Sequence, residues 1–273
     1  MPTEPVTGTA AGVPYTALPP HDGGPAPLLV AWHMMDAPCT DAAFAAALPL
    51  HDVPAWRVYL GMPWTGRRPH PAGPDEAAAD PVRNYLRPVI GQAVAEFPDA
   101  LAALRRDLPV EDAPLAVVGG SLGGAVALTV LADATVPIAA AAIVNAAVRA
   151  RTVVDLFTER TGRAYEWADD TVADADRLDF VARAAAIAAR TPQPALLVVS
   201  GEEDFPTFRP DATALVAALR QRYDSPETVA LASIPGLAHP LAERPGEEPA
   251  PQIPAAKHVD AEITAWLRRH WIR

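Results

Sequence analysis

The sequence predicts an α/β protein built on a mostly parallel central sheet with helices on both faces. Two observations predict it. Short continuous apolar runs such as Leu28–Trp32 and Leu115–Val118 are the pattern of strands buried on both faces. They alternate with longer stretches of helical period, the order expected of β–α–β units with right-handed crossovers.

Residues 1–27 are rich in Gly and Pro and leave room for a small antiparallel ribbon near Thr3–Val6 and Val13–Leu18. The strand Leu28–Trp32 follows Pro27, and Asp41–Leu48 reads as a short helix with Thr40 as N-cap. Val53–Leu60 is the next strand, and Gly61–Pro81 is a long loop dense in Pro and Gly. Val82–Leu108 is helical but carries Pro88 and Pro98, which predicts two pieces or a kink. A strand at Leu115–Val118, a helix at Leu122–Asp133 and a strand at Ile138–Val144 follow.

Val148–Arg190 is polar and helical, with no strand inside it. The helical spacing of Leu178, Val181, Ala182, Ala185 and Ala186 gives it one weakly apolar face. The chain then resumes the alternation: strand Leu196–Ser200, helix Asp211–Tyr223, strand Thr228–Ile234 and a closing helix Pro254–His270. Residues 1–147 and 191–273 therefore form one core, with residues 148–190 inserted into it.

Composition narrows the function. A chain of 273 residues, half of them hydrophobic, is long enough for one large globular domain. A net charge of −11 repels phosphate backbones and anionic lipid, so neither nucleic acid nor a membrane is an expected partner. Cys39 is the only cysteine, which excludes an intrachain disulfide and a multi-cysteine zinc site. The first residues lack a basic and an apolar signal region, and no apolar run approaches 18 residues, so the expected location is cytoplasmic.

The chemistry sits at Gly119-Gly120-Ser121-Leu122-Gly123-Gly124, between a strand and a helix. G-x-S-x-G in that context is a nucleophile elbow, a turn so sharp that Ser121 takes a strained backbone and residues 119 and 123 must lack side chains. The amide of Leu122, at the helix N-terminus, points to where an oxyanion would form. The segment does not fit G-x-G-x-x-G, and no Gly-Lys-Ser/Thr follows, which argues against a phosphate loop.

A serine hydroxyl needs a base held by an acid. Asp204 follows the strand at 196–200, and His239 follows the strand at 228–234. Both stand where ligands bind in open α/β sheets. Glu202 and Glu203 are alternatives to Asp204, while Asn145, at the end of the 138–144 strand, cannot serve as a triad acid. Among the other histidines, His21, His51 and His70 lie in loops, and His258 and His270 fall in the last helix. His33, ending the strand 28–32, is the competitor, and a histidine there more often hydrogen-bonds neighbouring loops.

The elbow, the acid and the late histidine, in the order Ser…Asp…His, resemble the α/β-hydrolase superfamily over nearly the whole chain. The resemblance implies an α/β-hydrolase fold in which residues 148–190 form a helical cap. It implies acyl transfer to water through a Ser121 acyl-enzyme, with no metal or cofactor. Where the family usually has His-Gly, this chain reads His33-Met34-Met35, so Met35 is expected to give the second oxyanion amide. Met34 is expected either to narrow the acyl pocket or to pack in the core, and Trp64 is a second candidate at the pocket rim. Arg149, Arg151, Arg160 and Arg163 are expected to pair with the acidic stretch Asp169–Asp179, or one of them to meet a substrate carboxylate.

The function expected is cleavage of carboxylic esters of short to medium acyl groups, with a small-molecule acyl substrate as partner and a homodimer left open. Thioesters, amides or acyl-peptides would use the same triad, and a non-catalytic small-molecule receptor on this scaffold is the alternative outside the enzymes.

Overall fold

The computed structural model describes residues 4–68 and 79–272. Eight strands form one sheet: β1 Val6–Ala10, β2 Val13–Leu18, β3 Leu28–Trp32, β4 Trp56–Leu60, β5 Leu115–Gly120, β6 Ile138–Val144, β7 Ala195–Glu203 and β8 Val229–Ala238. Their order is β1-β2-β4-β3-β5-β6-β7-β8. The pairs β1–β2 and β2–β4 are antiparallel; every other neighbour is parallel.

The first ribbon differs from expectation in the position of its first strand. Its strand is Val6–Ala10, paired so that Ala10 faces Val13. Ala11 and Gly12 make the connection, both at positive φ, +48° and +88°. Two such residues turn a hairpin with the twist its strands need, and that turn fixes where β1 lies. β4 begins at Trp56 rather than Val53, because Val53 and Ala55 bond back within a turn around Pro54.

The strands alternate their side chains between two cores. Val30 and Trp32 of β3, Val117 of β5 and Val198 of β7 face one, with α2 Arg87–Asp107, α3 Ser121–Asp133 and α7 Phe208–Arg220 packed on it. There Phe97 sets its ring edge to Trp32 at 5.2 Å. Leu29, Ala31, Val118 and Val199 face the other, covered by α1 Asp41–Ala47 and α8 Pro254–His270. Thr40 caps α1 as the sequence indicates, its hydroxyl accepting from the Ala43 amide at 3.1 Å.

Proline splits the 82–108 stretch only once. A π-helical turn, Val82–Leu86, precedes α2, and Pro88 falls in the helix's first turn, where a missing N–H costs nothing. Pro98 lies inside α2 on its exposed side. Between β6 and β7 the chain forms α4 Ala150–Thr161, α5 Asp169–Arg177 and the short α6 Ala184–Ala188. The apolar face there is the expected one only in part, since Leu178 is buried and Val181 packs against the core. A turn at 178–183 interrupts the period, and Ala184, Ile187 and Ala188 are buried while Ala182 and Ala185 are exposed. No described helix is long and apolar enough to cross a membrane.

The topology places the site. From β3 the chain moves outward to β4, then returns across the sheet to β5 on β3's other side. Loops leaving β3 and β5 diverge at that switch, opening a crevice at their C-terminal ends.

Candidate active site

Ser121 opens α3 directly from β5, with φ of +48°, the left-handed region that a serine rarely occupies. The glycines beside it are required by close approach. A Cβ on Gly119 would lie 2.2 Å from the Gly123 carbonyl oxygen. One on Gly123 would lie 2.2 and 2.4 Å from the carbonyl oxygens of Trp32 and His33. Gly123 therefore lets the elbow helix press against the loop leaving β3.

Ser121 Oγ lies 2.9 Å from His239 Nε2, and His239 Nδ1 lies 2.7 Å from Asp204 Oδ1. Asp204 and His239 are the residues immediately after β7 and β8, and both are buried. The Phe205 amide donates to the same Asp204 oxygen at 2.7 Å. Aromatic rings fix the imidazole from two sides: Phe205 stacks on it at 4.4 Å, and Phe208 sets an edge to it at 5.5 Å. Glu203 is exposed at the end of β7, and Glu202 accepts a hydrogen bond from Ser233, so neither meets His239.

Asn145 is the residue whose role the sequence concealed. It sits after β6 with φ of +44°, and its side chain is tied to the C-terminal ends of β7 and β8. Its Nδ2 donates to the carbonyls of Ala238 and His239 at 2.8 and 3.1 Å, while its Oδ1 accepts from the Gly201 amide at 2.8 Å. It is not an acid for the histidine but a bracket between the two loops that carry Asp204 and His239.

His33 is a buried brace. The Met62 amide donates to its Nε2 at 2.9 Å, so the ring's proton sits on Nδ1 and is given to the Met34 carbonyl at 2.6 Å. Burial pushes its pKa down to about 4, which keeps it neutral. His21 and His51 lie in turns, and His258 and His270 lie in α8. His70 falls outside the described residues.

The site opens into a cleft of about 490 Å³. Ser121, Leu122, Met35 and His239 line its floor, with Tyr85, Leu156, Phe157, Phe205 and Phe208 among its walls. Two expected pocket residues are elsewhere. Met34 is fully buried in the core under α1, and a Cβ on Gly120 would meet its Cγ at 2.7 Å, so it packs beneath the elbow. Trp64 packs half-buried against the core on the other face and does not line the cleft. Met35 alone of the two methionines reaches the site.

The aromatic and aliphatic walls were not singled out from sequence. Phe205 is the one with a signal, because it directly follows Asp204, the residue that bonds His239. The arginines divide. Arg149 pairs with Asp179 and Asp211, and Arg151 pairs with Asp176, as the sequence suggests. Arg160 faces the cleft instead.

An elbow serine hydrogen-bonded to a histidine, on an eight-stranded sheet of this order, defines a serine hydrolase of the α/β-hydrolase superfamily. The sequence model of the prolyl oligopeptidase family matches residues 91–270, and the chain belongs to that family. No curated protein matches it by sequence. Among solved structures it is similar to TT1662 from Thermus thermophilus, at 21% identity and a TM-score of 0.69, over 98% of this chain and 99% of that one. It is also similar to an esterase from Pyrobaculum calidifontis, at 16% identity and a TM-score of 0.61, over 97% of this chain and 85% of that one. An acylaminoacyl peptidase from Pyrococcus horikoshii matches at 12% identity and a TM-score of 0.65, over 98% of this chain but 42% of its own.

Proposed function

We propose that the protein hydrolyses carboxylic esters of short to medium acyl groups, with Ser121, His239 and Asp204 as its catalytic triad. The observation that carries this reading is the continuous hydrogen-bonded line from Ser121 Oγ through His239 to Asp204, 2.9 and 2.7 Å, on the floor of the cleft. His239 Nε2 takes the Ser121 proton as Oγ attacks the ester carbonyl, then returns it to the leaving alkoxide. Asp204 holds the Nδ1–H tautomer and offsets the positive imidazolium. The amides of Leu122 and Met35 receive the oxyanion. The Leu122 N–H, in the first turn of α3, has no acceptor within its own helix. Water then attacks the acyl-enzyme by the same route in reverse. Residues 148–190 act as a cap, since α4 supplies Val153, Leu156 and Phe157 to the cleft.

The walls support a compact apolar acyl group, and 490 Å³ lies toward the small end of ligand pockets. The shared fold and family also fit an acyl-peptide or amide substrate. Recognition of a free peptide amine is disfavoured by Asp36, the acidic residue at the cleft's edge, which is already bound by Arg244 at 2.6 and 2.9 Å. The test is fluorophosphonate labelling together with a panel of p-nitrophenyl esters from acetyl to palmitoyl, a thioester, an anilide and an N-acyl dipeptide. Stoichiometric modification at Ser121, with turnover fastest on the shorter esters and abolished in Ser121→Ala, is expected. No labelling favours a receptor, and faster cleavage of the N-acyl dipeptide than of any ester assigns a peptidase.

A further inference from the structure

We infer that the cleft carries a carboxylate subsite at Arg160, so that the preferred substrate is a monoester of a dicarboxylic acid or a similar anionic acyl compound. The inference rests on the hydrolase reading for the reaction but not for the binding.

Arg160 lies in the last turn of α4 and lines the same cleft as Ser121 and His239. Its guanidinium sits over the Phe205 ring at 5.1 Å, and that ring stacks on the His239 imidazole at 4.4 Å. Among the described residues it has no carboxylate partner. This separates it from the other charges nearby. Arg149 and Arg151 of the same insertion are ion-paired, and at the cleft's edge Arg244 and Asp36 neutralise each other. That pairing also holds the Asp36 carboxyl below its ordinary range, so it stays ionised and matched. Among the described residues that line the cleft, Arg160 is the one cation without an ion-pair partner, in a protein whose net charge is −11.

That combination has a consequence for substrate choice. The overall field repels anions, so an anionic substrate gains from a fixed local cation, whereas a neutral ester gains nothing from one. A guanidinium held over an aromatic ring has lost much of its freedom, and its paired N–H groups match a carboxylate. Two stacking steps separate it from the imidazole. A carboxylate held at Arg160 and a carbonyl at Ser121 would share one short acyl chain, taken for the test as a spacer of about three methylenes. The walls between, Phe157 and Leu156, are apolar and suit such a spacer.

The binding test uses Ser121→Ala protein, titrated calorimetrically with monoethyl glutarate and with ethyl pentanoate, its uncharged counterpart. The monoanion should bind about tenfold more tightly, the scale of one charge-assisted contact in a partly solvated site. That gap should close in the Ser121→Ala, Arg160→Gln double variant and shrink in 0.5 M salt. Equal binding of the two ligands, or a gap that survives Arg160→Gln, overturns the subsite. In protein with Ser121 intact, Arg160→Gln should lower kcat/KM for p-nitrophenyl hemiglutarate about tenfold more than for p-nitrophenyl pentanoate. Equal loss on both also overturns it, leaving Arg160 as a prop for Phe205. A binding gap without turnover of either ester upholds the subsite and refutes ester hydrolysis.

Discussion

Asn145 holds His239 from behind: its Nδ2 donates to the His239 carbonyl at 3.1 Å while its Oδ1 accepts the Gly201 amide at 2.8 Å. One buried amide thus ties the end of β7, just before Asp204, to His239, the residue that follows β8, using both ends of its side chain. Removing it leaves the Ala238 and His239 carbonyls and the Gly201 N–H without these partners, at about 1–3 kcal/mol per buried orphan. Asn145→Ala should lower thermal stability and cut kcat ten- to hundredfold with little change in KM, since small misplacements of a base are costly. Asn145→Asp should be no better, because a carboxylate cannot donate to two carbonyls. Steady-state kinetics beside a thermal melt check this; wild-type kcat in either variant would contradict the bracket.

Asp204 and Glu203 are neighbours with opposite environments, one buried against the imidazole and one exposed at the strand's end. Asp204→Asn should lower kcat by roughly 10³–10⁴, because the imidazole loses its counter-charge and its tautomer is no longer held. Glu203→Gln should leave kcat within a factor of about two. Measuring both on one ester substrate is decisive, and the reverse order would move the acid by one residue.

Two glycines make a matched pair. At Gly123 a methyl group would strike the Trp32 and His33 carbonyl oxygens at 2.2 and 2.4 Å, so either the loop leaving β3 or the elbow must move. At Gly91, in α2, nothing lies within 4 Å of the added carbon. Gly123→Ala should strongly destabilise the fold or abolish activity. Gly91→Ala should stabilise it by about 0.5–1 kcal/mol through helix propensity. Chemical unfolding of the two variants tests both, and a tolerated alanine at 123 would show that the loop is not pressed against the elbow.

The elbow and the ends of β7 and β8 were legible because local rules place them. Glycines flank the serine at a strand–helix joint, and Asp204 and His239 each follow an apolar run. What the chain did not show locally was direction. His33-Met34-Met35 puts two methionines in the loop leaving β3, yet Met34 turns under the elbow into the core while Met35 faces the cleft. Sequence spacing cannot separate them, because the loop's path is set by Met62 and the Gly123 contact, both distant in the chain. Asn145 was concealed for the same reason, since its three partners lie 56, 93 and 94 residues away. The apolar face of residues 148–190 was placed only in part, because a turn at 178–183 breaks the helical period that the spacing assumes.

The brace at His33 makes an acid-sensitivity prediction. Burial, the dominant cause, depresses its pKa from 6.5 to about 4, outweighing the Met34 hydrogen bond and the attraction of Asp41 that favour the cation. The unfolded chain therefore binds a proton at His33 between pH 6.5 and 4 that the folded chain does not. Stability from this group is complete above pH 6.5 and is lost progressively as pH falls toward 4, by on the order of 3 kcal/mol. Protonation at Nε2 would also remove the acceptor of the Met62 amide and loosen the loop that presents Met35. Titration of the carboxylates contributes over the same range, so the informative quantity is the difference from a His33→Gln variant. That variant should be clearly less stable than wild type at pH 7.5, and the gap should narrow steadily as pH falls below 6.5. Urea unfolding of both proteins at half-unit steps from pH 7.5 to 4.5 measures it. A gap that stays constant across that range would mean that His33 is not held neutral, and that the Met62 amide does not depend on its unprotonated nitrogen.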